Sequence, residues 1–122
     1  MRRDGARPLD DRIRMLHMLE AAREALEFSQ GRVRADLESD AMLRRALLNC
    51  VQEIGEAASQ VSDAGRARAT EIPWQKIVGM RHRMVHAYYD INRDSLWKVV
   101  EQHLEPLVDA IESALAHWPE AD

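Results

Sequence analysis

Apolar residues recur every three or four positions along most of this chain, which is the spacing of one buried face of an α-helix. The first apolar stripe consists of Ile13, Leu16, Leu19, Ala22 and Leu26. It predicts a helix from about Asp10 to Ser29. Asp10 or Asp11 can cap the start of this helix, and Gly31 can end it. A connector with room for one helical turn follows over residues 32–39.

Two more helices are predicted in the middle of the chain. The second runs from about Asp40 to Val61 and carries Gly55, which costs about 1 kcal/mol relative to alanine and therefore indicates a close approach to another helix. A polar connection over residues 62–72 comes next. Pro73 suits the first position of a third helix, because its missing N–H would be unpaired there anyway. That helix should extend at least to Val85.

The remaining apolar stripe predicts a fourth helical segment that Asn92 or Asp94 can cap. Pro106 lacks a backbone donor and should kink or restart this segment. The last piece carries Leu107, Ile111, Leu115 and Trp118. Since the connections are short, the prediction is an all-α, up-and-down bundle of four to five helices. It forms one domain over residues 9–118, preceded by a flexible tail over residues 1–8.

Composition narrows the class of protein. The 122 residues suit a single domain, and Cys50 is the only cysteine, so no intrachain disulfide can form. No signal-like segment and no run of about 20 apolar residues is present, so we expect a cytoplasmic protein with no membrane association. The net charge of -4 argues against a protein that coats nucleic acid but says little about a local site.

One segment departs from the acidic background: R-H-R-M-V-H-A-Y, from Arg81 to Tyr88. On a helical wheel, Arg81 lies in the middle of the apolar face, where a guanidinium needs a carboxylate or a phosphate. Glu53 and Glu56 of the second helix are candidate partners. His86 points about 140° away from Arg81. The two can therefore converge only if the helix distorts or ends near Val85, or if two chains share the site.

An arginine and a histidine can cleave RNA without a metal. Histidine titrates near neutrality and can move protons to and from the reacting oxygens, and arginine stabilises the charge that develops on the phosphate. Tyr88 could hold a phosphate oxygen or stack on a base. No C-x2-C pair exists and the carboxylates do not cluster around the histidines, so we expect no metal site. Spacing alone also fits a surface or structural role for Arg81 and His86.

The same segment resembles the HepT group of HEPN-domain toxins from bacterial and archaeal toxin–antitoxin pairs. The resemblance rests on Arg81, four residues, His86, one residue and Tyr88, on the lead-in I-P-W-Q-K-I-V-G-M at Ile72–Met80, and on E-I-G-E-A-A at Glu53–Ala58. It extends over roughly residues 9–116.

The resemblance implies a homodimeric all-α bundle whose two motifs face one another across a cleft. It implies a metal-independent endoribonuclease acting on cellular RNA, including tRNA, with Arg81 and His86 as the catalytic pair. Glu53, Glu56 and Arg83 are candidate supporting residues. The chain itself needs no cofactor. The implied partner is a minimal MNT-type nucleotidyltransferase antitoxin that uses ATP to transfer AMP onto Tyr88, which would place negative charge beside the arginine.

Two other interpretations remain open at this point. The chain could be a non-catalytic helical partner or substrate-binding subunit of a nucleotidyltransferase, although such a scaffold would not need Arg81, His86 and Tyr88 together. It could also be a plain dimerisation bundle without an active site. The position of Arg81 inside an apolar stripe argues against the latter.

Overall fold

The computed structural model describes residues 8–84 and 91–119, and in these ranges the chain is helical, as predicted. The helices are α1 (Pro8–Phe28), α2 (Asp36–Ser39), α3 (Ala41–Ser59), α4 (Asp63–Ala67), α5 (Trp74–Met84), α6 (Arg93–Lys98) and α7 (Leu104–Ala116). A π-helical turn over Val99–His103 joins α6 to α7. The all-α prediction is therefore confirmed. α1 begins at Pro8, two residues before the predicted start near Asp10, and residues 1–7 of the predicted tail lie outside the described residues.

The core is built around α3, which packs against α1 on one side and α5 on the other. α7 packs against α1, where Arg23 of α1 pairs with Glu112 of α7. Apolar side chains from all four of these helices are fully buried, including Met15, Met18, Leu47, Ile54, Met84 and Ile111. Burial of these side chains stabilises the bundle through the hydrophobic effect. The face predicted for the first helix is only partly correct, because Ile13 and Leu16 are 40% and 37% exposed, whereas Met15 and Met18 are buried.

The start of α3 is held by side chains of the preceding connector. The Asp40 carboxylate accepts a hydrogen bond of 3.0 Å from the Leu43 backbone N–H and so caps the helix. Arg32 donates to Asp40 at 2.7 Å and to Asp36 at 3.3 Å. The Arg32 guanidinium lowers the pKa of the Asp40 carboxyl, with a further contribution from the capped N–H. The predicted single turn in the connector is α2.

One helix was not predicted. The segment 62–72, expected as a polar connection, contains α4, and Ser62 is its N-cap. Asp11, expected at the start of α1, lies instead within that helix and is 2% exposed. Its carboxylate accepts hydrogen bonds from the Ser62 backbone N–H at 2.9 Å and from the Ser62 hydroxyl at 2.6 Å. This contact ties α1 to the start of α4.

Gly65 makes that contact possible. A Cβ atom at this position would lie 2.4 Å from Asp11 Oδ2 and 2.8 Å from Val61 Cγ1. Any larger residue would therefore separate α4 from α1. Gly31, in contrast, has a φ of 74° and open space around it, and it ends α1 because a left-handed backbone costs glycine little.

Pro106 lies beside a disturbance of the last helix, as predicted. It lies in the first turn of α7, directly after the π-helical turn, in which the Leu104 backbone N–H bonds to the Val99 carbonyl five residues back. Because Pro106 cannot donate to the preceding turn, the extra residue of the π turn accommodates the lost bond. Trp118, predicted in the last helix, lies beyond the end of α7 and is buried.

Candidate functional site

The candidate motif begins in the last turn of α5. The buried stripe of this helix is Trp74, Ile77, Met80 and Met84, and it packs against α3. Arg81 directly follows Met80 of this stripe along the chain. The side chains of Arg81 and Arg83 lie outside the part of the chain that the structure describes.

The start of α5 is fixed by Trp74. Its indole N–H donates a hydrogen bond of 3.0 Å to the Ala69 carbonyl, and the Arg66 guanidinium lies 5.6 Å from the centre of the ring. Arg66 also donates to the Ala58 carbonyl of α3 at 3.2 Å. These contacts set the position of α5 relative to α3. They therefore also set the position of the last turn of α5, which contains Arg81 in the sequence.

The far end of α5 is joined to α6 by a backbone hydrogen bond. The Met84 carbonyl accepts from the Asn92 N–H at 2.6 Å. Residues 85–90, which include His86 and Tyr88, lie between these two anchors and outside the described residues. The predicted convergence of Arg81 and His86 therefore stays a prediction.

The Met84–Asn92 hydrogen bond forms a junction between α5 and α6, and a network of charged and polar side chains stabilises the α6 side of it. The Asn92 side chain caps α6 by accepting from the Ser95 backbone N–H at 3.0 Å. Arg34, next to α2, donates to Asp94 at 2.8 Å and to Glu38 at 2.8 Å. The hydrogen bond from Arg34 is the main cause of the lowered pKa of the Glu38 carboxyl.

This network was not foreseen in the sequence, apart from the prediction that Asn92 or Asp94 begins the helix. Asn92 is the cap, and Asp94 instead pairs with Arg34. The sequence contained one usable signal, because both residues are polar and stand directly before an apolar stripe. The partner Arg34 is sixty residues away along the chain, so only the fold could reveal it.

Glu53 and Glu56 are exposed on α3. They line a groove of about 440 Å³ between α3 and α1, together with Arg14, His17, Glu20 and Glu24. Their predicted pairing with Arg81, and the supporting role of Arg83, stay predictions because those two side chains are outside the described part.

A second and larger groove lies between α5 and the helix formed by α6, the π turn and α7. Its volume is about 620 Å³. Met84 lines it, so it opens at the end of α5 where the motif begins. Lys76, Lys98 and His103 also line it. None of these three was singled out as a functional residue in the sequence, since they are distant from one another along the chain.

The expectation of no metal site overlooked one pair of residues. His82 and His86 are four residues apart, a spacing at which two imidazoles on one helical face can share a metal ion. His82 is exposed, and His86 lies outside the described residues. Within residues 8–84 and 91–119, no three histidine, cysteine, aspartate or glutamate side chains are grouped so that they could hold a metal. In the same ranges, no helix has both the length and the apolar character needed to cross a membrane.

Comparison with known proteins gives one consistent result. A family model described as Ribonuclease HepT-like matches residues 18–114. A Methanocaldococcus jannaschii protein, provisionally described as an RNase, is 27% identical over 95 residues, which cover 78% of this chain and 87% of that protein. A protein of Thermococcus cleftensis described as a probable ribonuclease HepT is 29% identical over 93 residues, covering 73% and 84% respectively.

A third relative, from Caldanaerobacter subterraneus and also provisionally described as an RNase, is 26% identical over 99 residues, with 81% of this chain and 88% of that protein covered. No solved structure matches the chain. The matched range of the family model includes Arg81, His86 and Tyr88 as well as both flanking stretches that carried the resemblance.

Proposed function

The chain belongs to the HepT-like ribonuclease family, and on that premise we propose that it is a toxin that cleaves cellular RNA through Arg81 and His86. The observation that carries this proposal is the family match over residues 18–114, which includes the complete motif from Arg81 to Tyr88. The Met84–Asn92 hydrogen bond supports it, because it fixes the two ends of the segment that bears His86.

The proposed reaction needs no metal. The 2′-oxygen of the RNA attacks the neighbouring phosphorus, the bond between phosphorus and the 5′-oxygen breaks, and a 2′,3′-cyclic phosphate forms. One proton leaves the 2′-hydroxyl and one reaches the departing 5′-oxygen. An imidazole can accept the first proton as a general base and donate the second as a general acid. The Arg81 guanidinium would stabilise the negative charge that grows on the phosphate oxygens.

We further propose that two copies of the chain complete the site. A helix that continued through His86 would direct Arg81 and His86 about 140° apart, but α5 ends at Met84, so the proposal of two copies follows from the arrangement that the family resemblance implies. In a two-fold dimer, the motifs of both copies can face one cleft, and two histidines can divide the acid and base steps.

The regulation proposed for this site is covalent. An MNT-type nucleotidyltransferase antitoxin would transfer AMP from ATP to the Tyr88 hydroxyl and release pyrophosphate. The added phosphate would place negative charge and bulk beside Arg81, which would repel the RNA backbone from the same position. Transfer RNA is the proposed target among cellular RNAs.

The test is incubation of the purified chain with total tRNA, beside the His86→Ala variant of unchanged helical content. The proposal expects cleavage by the natural chain and none by the variant. A natural chain that binds the nucleotidyltransferase yet cuts no RNA would instead indicate a non-catalytic partner subunit.

A further inference from the structure

The groove between α5 and the α6–α7 helix combines an apolar floor with a cationic rim. Its floor consists of the buried side chains Ile77, Met80, Met84, Val99, Leu104 and Leu107. Its volume of about 620 Å³ is typical of sites that take a small organic molecule or one unit of a polymer. The floor therefore offers apolar contact to a flat, weakly polar group such as a nucleobase.

Both lysines of the chain line this groove. Lys76 and Lys98 are the only lysines among 17 basic residues, and they stand on opposite walls. Lys98 is exposed, and among the described residues its ammonium group has no hydrogen-bond or ion-pair partner. The chain as a whole carries a charge of -4, so this is a local cationic surface on an acidic protein.

The π-helical turn adds hydrogen-bonding groups to the same wall. Gln102 and His103 are exposed, belong to this turn and line the groove. Turns of this kind are rare and occur frequently at functional sites. Glu71, the acidic side chain of the lining, precedes the start of α5 and so lies at the end away from Met84.

The groove is continuous with the proposed catalytic segment. Met84 lines it, and the Met84 carbonyl anchors residues 85–90 through Asn92. Ser95 of α6, three residues after Asn92, also lines the groove, so both of its walls reach the junction between α5 and α6. A polymer that reaches the catalytic segment can therefore continue into the groove.

We infer that this groove binds the part of a single-stranded RNA that adjoins the cleaved bond, with Lys98 against a backbone phosphate and a base on the apolar floor. The inference rests on the proposed ribonuclease function and adds a substrate subsite to it. A single strand is required, because only unstacked bases can reach an apolar floor while their phosphates meet the rim.

Amine labelling tests the location, because the chain offers only two lysine amines and the N-terminal amine. The His86→Ala variant, which should not cut, is acylated with and without a single-stranded RNA whose binding is followed by fluorescence anisotropy. The inference expects bound RNA to protect Lys98 several-fold, while the N-terminal amine reacts at an unchanged rate. Equal reactivity of Lys98 with and without bound RNA would overturn it, and so would the absence of any binding.

The same measurement identifies the competing occupant. If a second copy of the chain fills the groove, Lys98 will be protected without RNA, and increasingly so as protein concentration rises. That outcome would also overturn the assignment to RNA.

Kinetics then separate the subsite from the catalytic site. Lys98→Gln should raise KM several-fold for a single-stranded oligonucleotide but leave cleavage of a dinucleotide unchanged, because the dinucleotide does not reach the groove. Loss of one phosphate contact should also reduce the slope of log affinity against log salt by about 0.7. Arg45→Gln is the matched control, since Arg45 is an exposed cation on α3 outside the groove.

The outcomes of this assay are distinct. A natural chain that cuts neither substrate would reject the proposed function itself. A natural chain that cuts both, with Lys98→Gln equal to Arg45→Gln on the oligonucleotide, would reject only the subsite.

Discussion

The carbonyl of Met84 accepts a hydrogen bond of 2.6 Å from the backbone N–H of Asn92, eight residues later in the chain. Met84 is the last residue of α5, and Asn92 is the N-cap of α6. The bond therefore joins the two helices at the ends of the segment that carries His86 and Tyr88. Because the Asn92 side chain also caps α6 by accepting from Ser95, this residue links helix stability to the geometry of the site.

Asn92→Ala should reduce RNA cleavage more than its effect on stability accounts for. Loss of the cap costs about 1 kcal/mol, and the Met84–Asn92 junction becomes less well fixed. The control is Asp40→Ala, which removes the cap of α3 and the partner of Arg32, away from the junction. The test compares the free energy of unfolding, from chemical denaturation, with the initial rate of RNA cleavage for both variants. Equal loss of activity at equal loss of stability would mean that the junction has no special role.

Gly65→Ala should destabilise the protein by about 1–3 kcal/mol, because the new methyl group would overlap Asp11 and Val61. Gly31→Ala provides the comparison. Gly31 has open space around it and a φ of 74°, so its substitution adds only backbone strain of about 1–2 kcal/mol.

The double variant Asp11→Ala/Gly65→Ala separates the two contacts. It should lose less stability than the sum of the single changes, because the first substitution removes one of the overlapping side chains. Strict additivity in urea denaturation would contradict the account of Gly65.

These particular residues also indicate how far the sequence could predict the fold. The apolar face of the third helix around Arg81 was visible because periodic burial depends on neighbours along one helix, and Ile77 and Met84 of that face are buried. α4 was not visible, because its cap Ser62 is held by Asp11, which lies 51 residues away along the chain. Local patterns carry no information about such a contact.

The candidate site also has one part that the sequence could predict and one part that it could not. Arg81, His86 and Tyr88 could be selected because the motif and its flanking stretches are contiguous in sequence, and the family match confirms the resemblance. The groove could not be selected, because Lys76 and Lys98 come together only when α5 packs beside α6. The π turn was hidden for another reason: Pro106 predicts a disturbed helix but not which geometry relieves it.

Acid should destabilise the α2–α3 connection through Asp36 and Asp40. Both carboxyls have a pKa below the ordinary 3.8; the main cause at Asp40 is the hydrogen bond from Arg32, and at Asp36 it is the Val33 backbone N–H. A lowered folded-state pKa contributes stability that is complete above the ordinary pKa and is lost as pH falls through the lowered one.

Arg32→Gln should therefore lower stability near neutral pH and flatten its decline in acid. Arg45→Gln, an exposed change without a described partner carboxylate, should leave the decline unchanged. Unfolding free energies measured from neutral pH down to below the ordinary carboxyl pKa provide the test. Parallel curves for the natural chain and Arg32→Gln would show that the guanidinium does not set this acid dependence.

Tyr88→Phe should prevent modification by the nucleotidyltransferase partner while RNA cleavage persists, because only the hydroxyl accepts AMP. The measurement is the intact mass of the chain after incubation with ATP and the partner. Tyr89→Phe is the adjacent control and should still gain one AMP. An adduct of the same mass on Tyr88→Phe would place the acceptor elsewhere.

The central claim is that Arg81 and His86 cleave RNA through its own 2′-hydroxyl without a metal ion. The most direct measurement compares a single-stranded RNA with the same strand carrying 2′-deoxyribose at the cleaved position, in the presence of EDTA, for the natural chain, His86→Ala and His82→Ala. The account predicts that the natural chain and His82→Ala cut the RNA to a 2′,3′-cyclic phosphate and leave the deoxy-substituted strand intact. It predicts that His86→Ala cuts neither strand. Cleavage of the deoxy-substituted strand, undiminished cleavage by His86→Ala, or loss of activity in EDTA would contradict it.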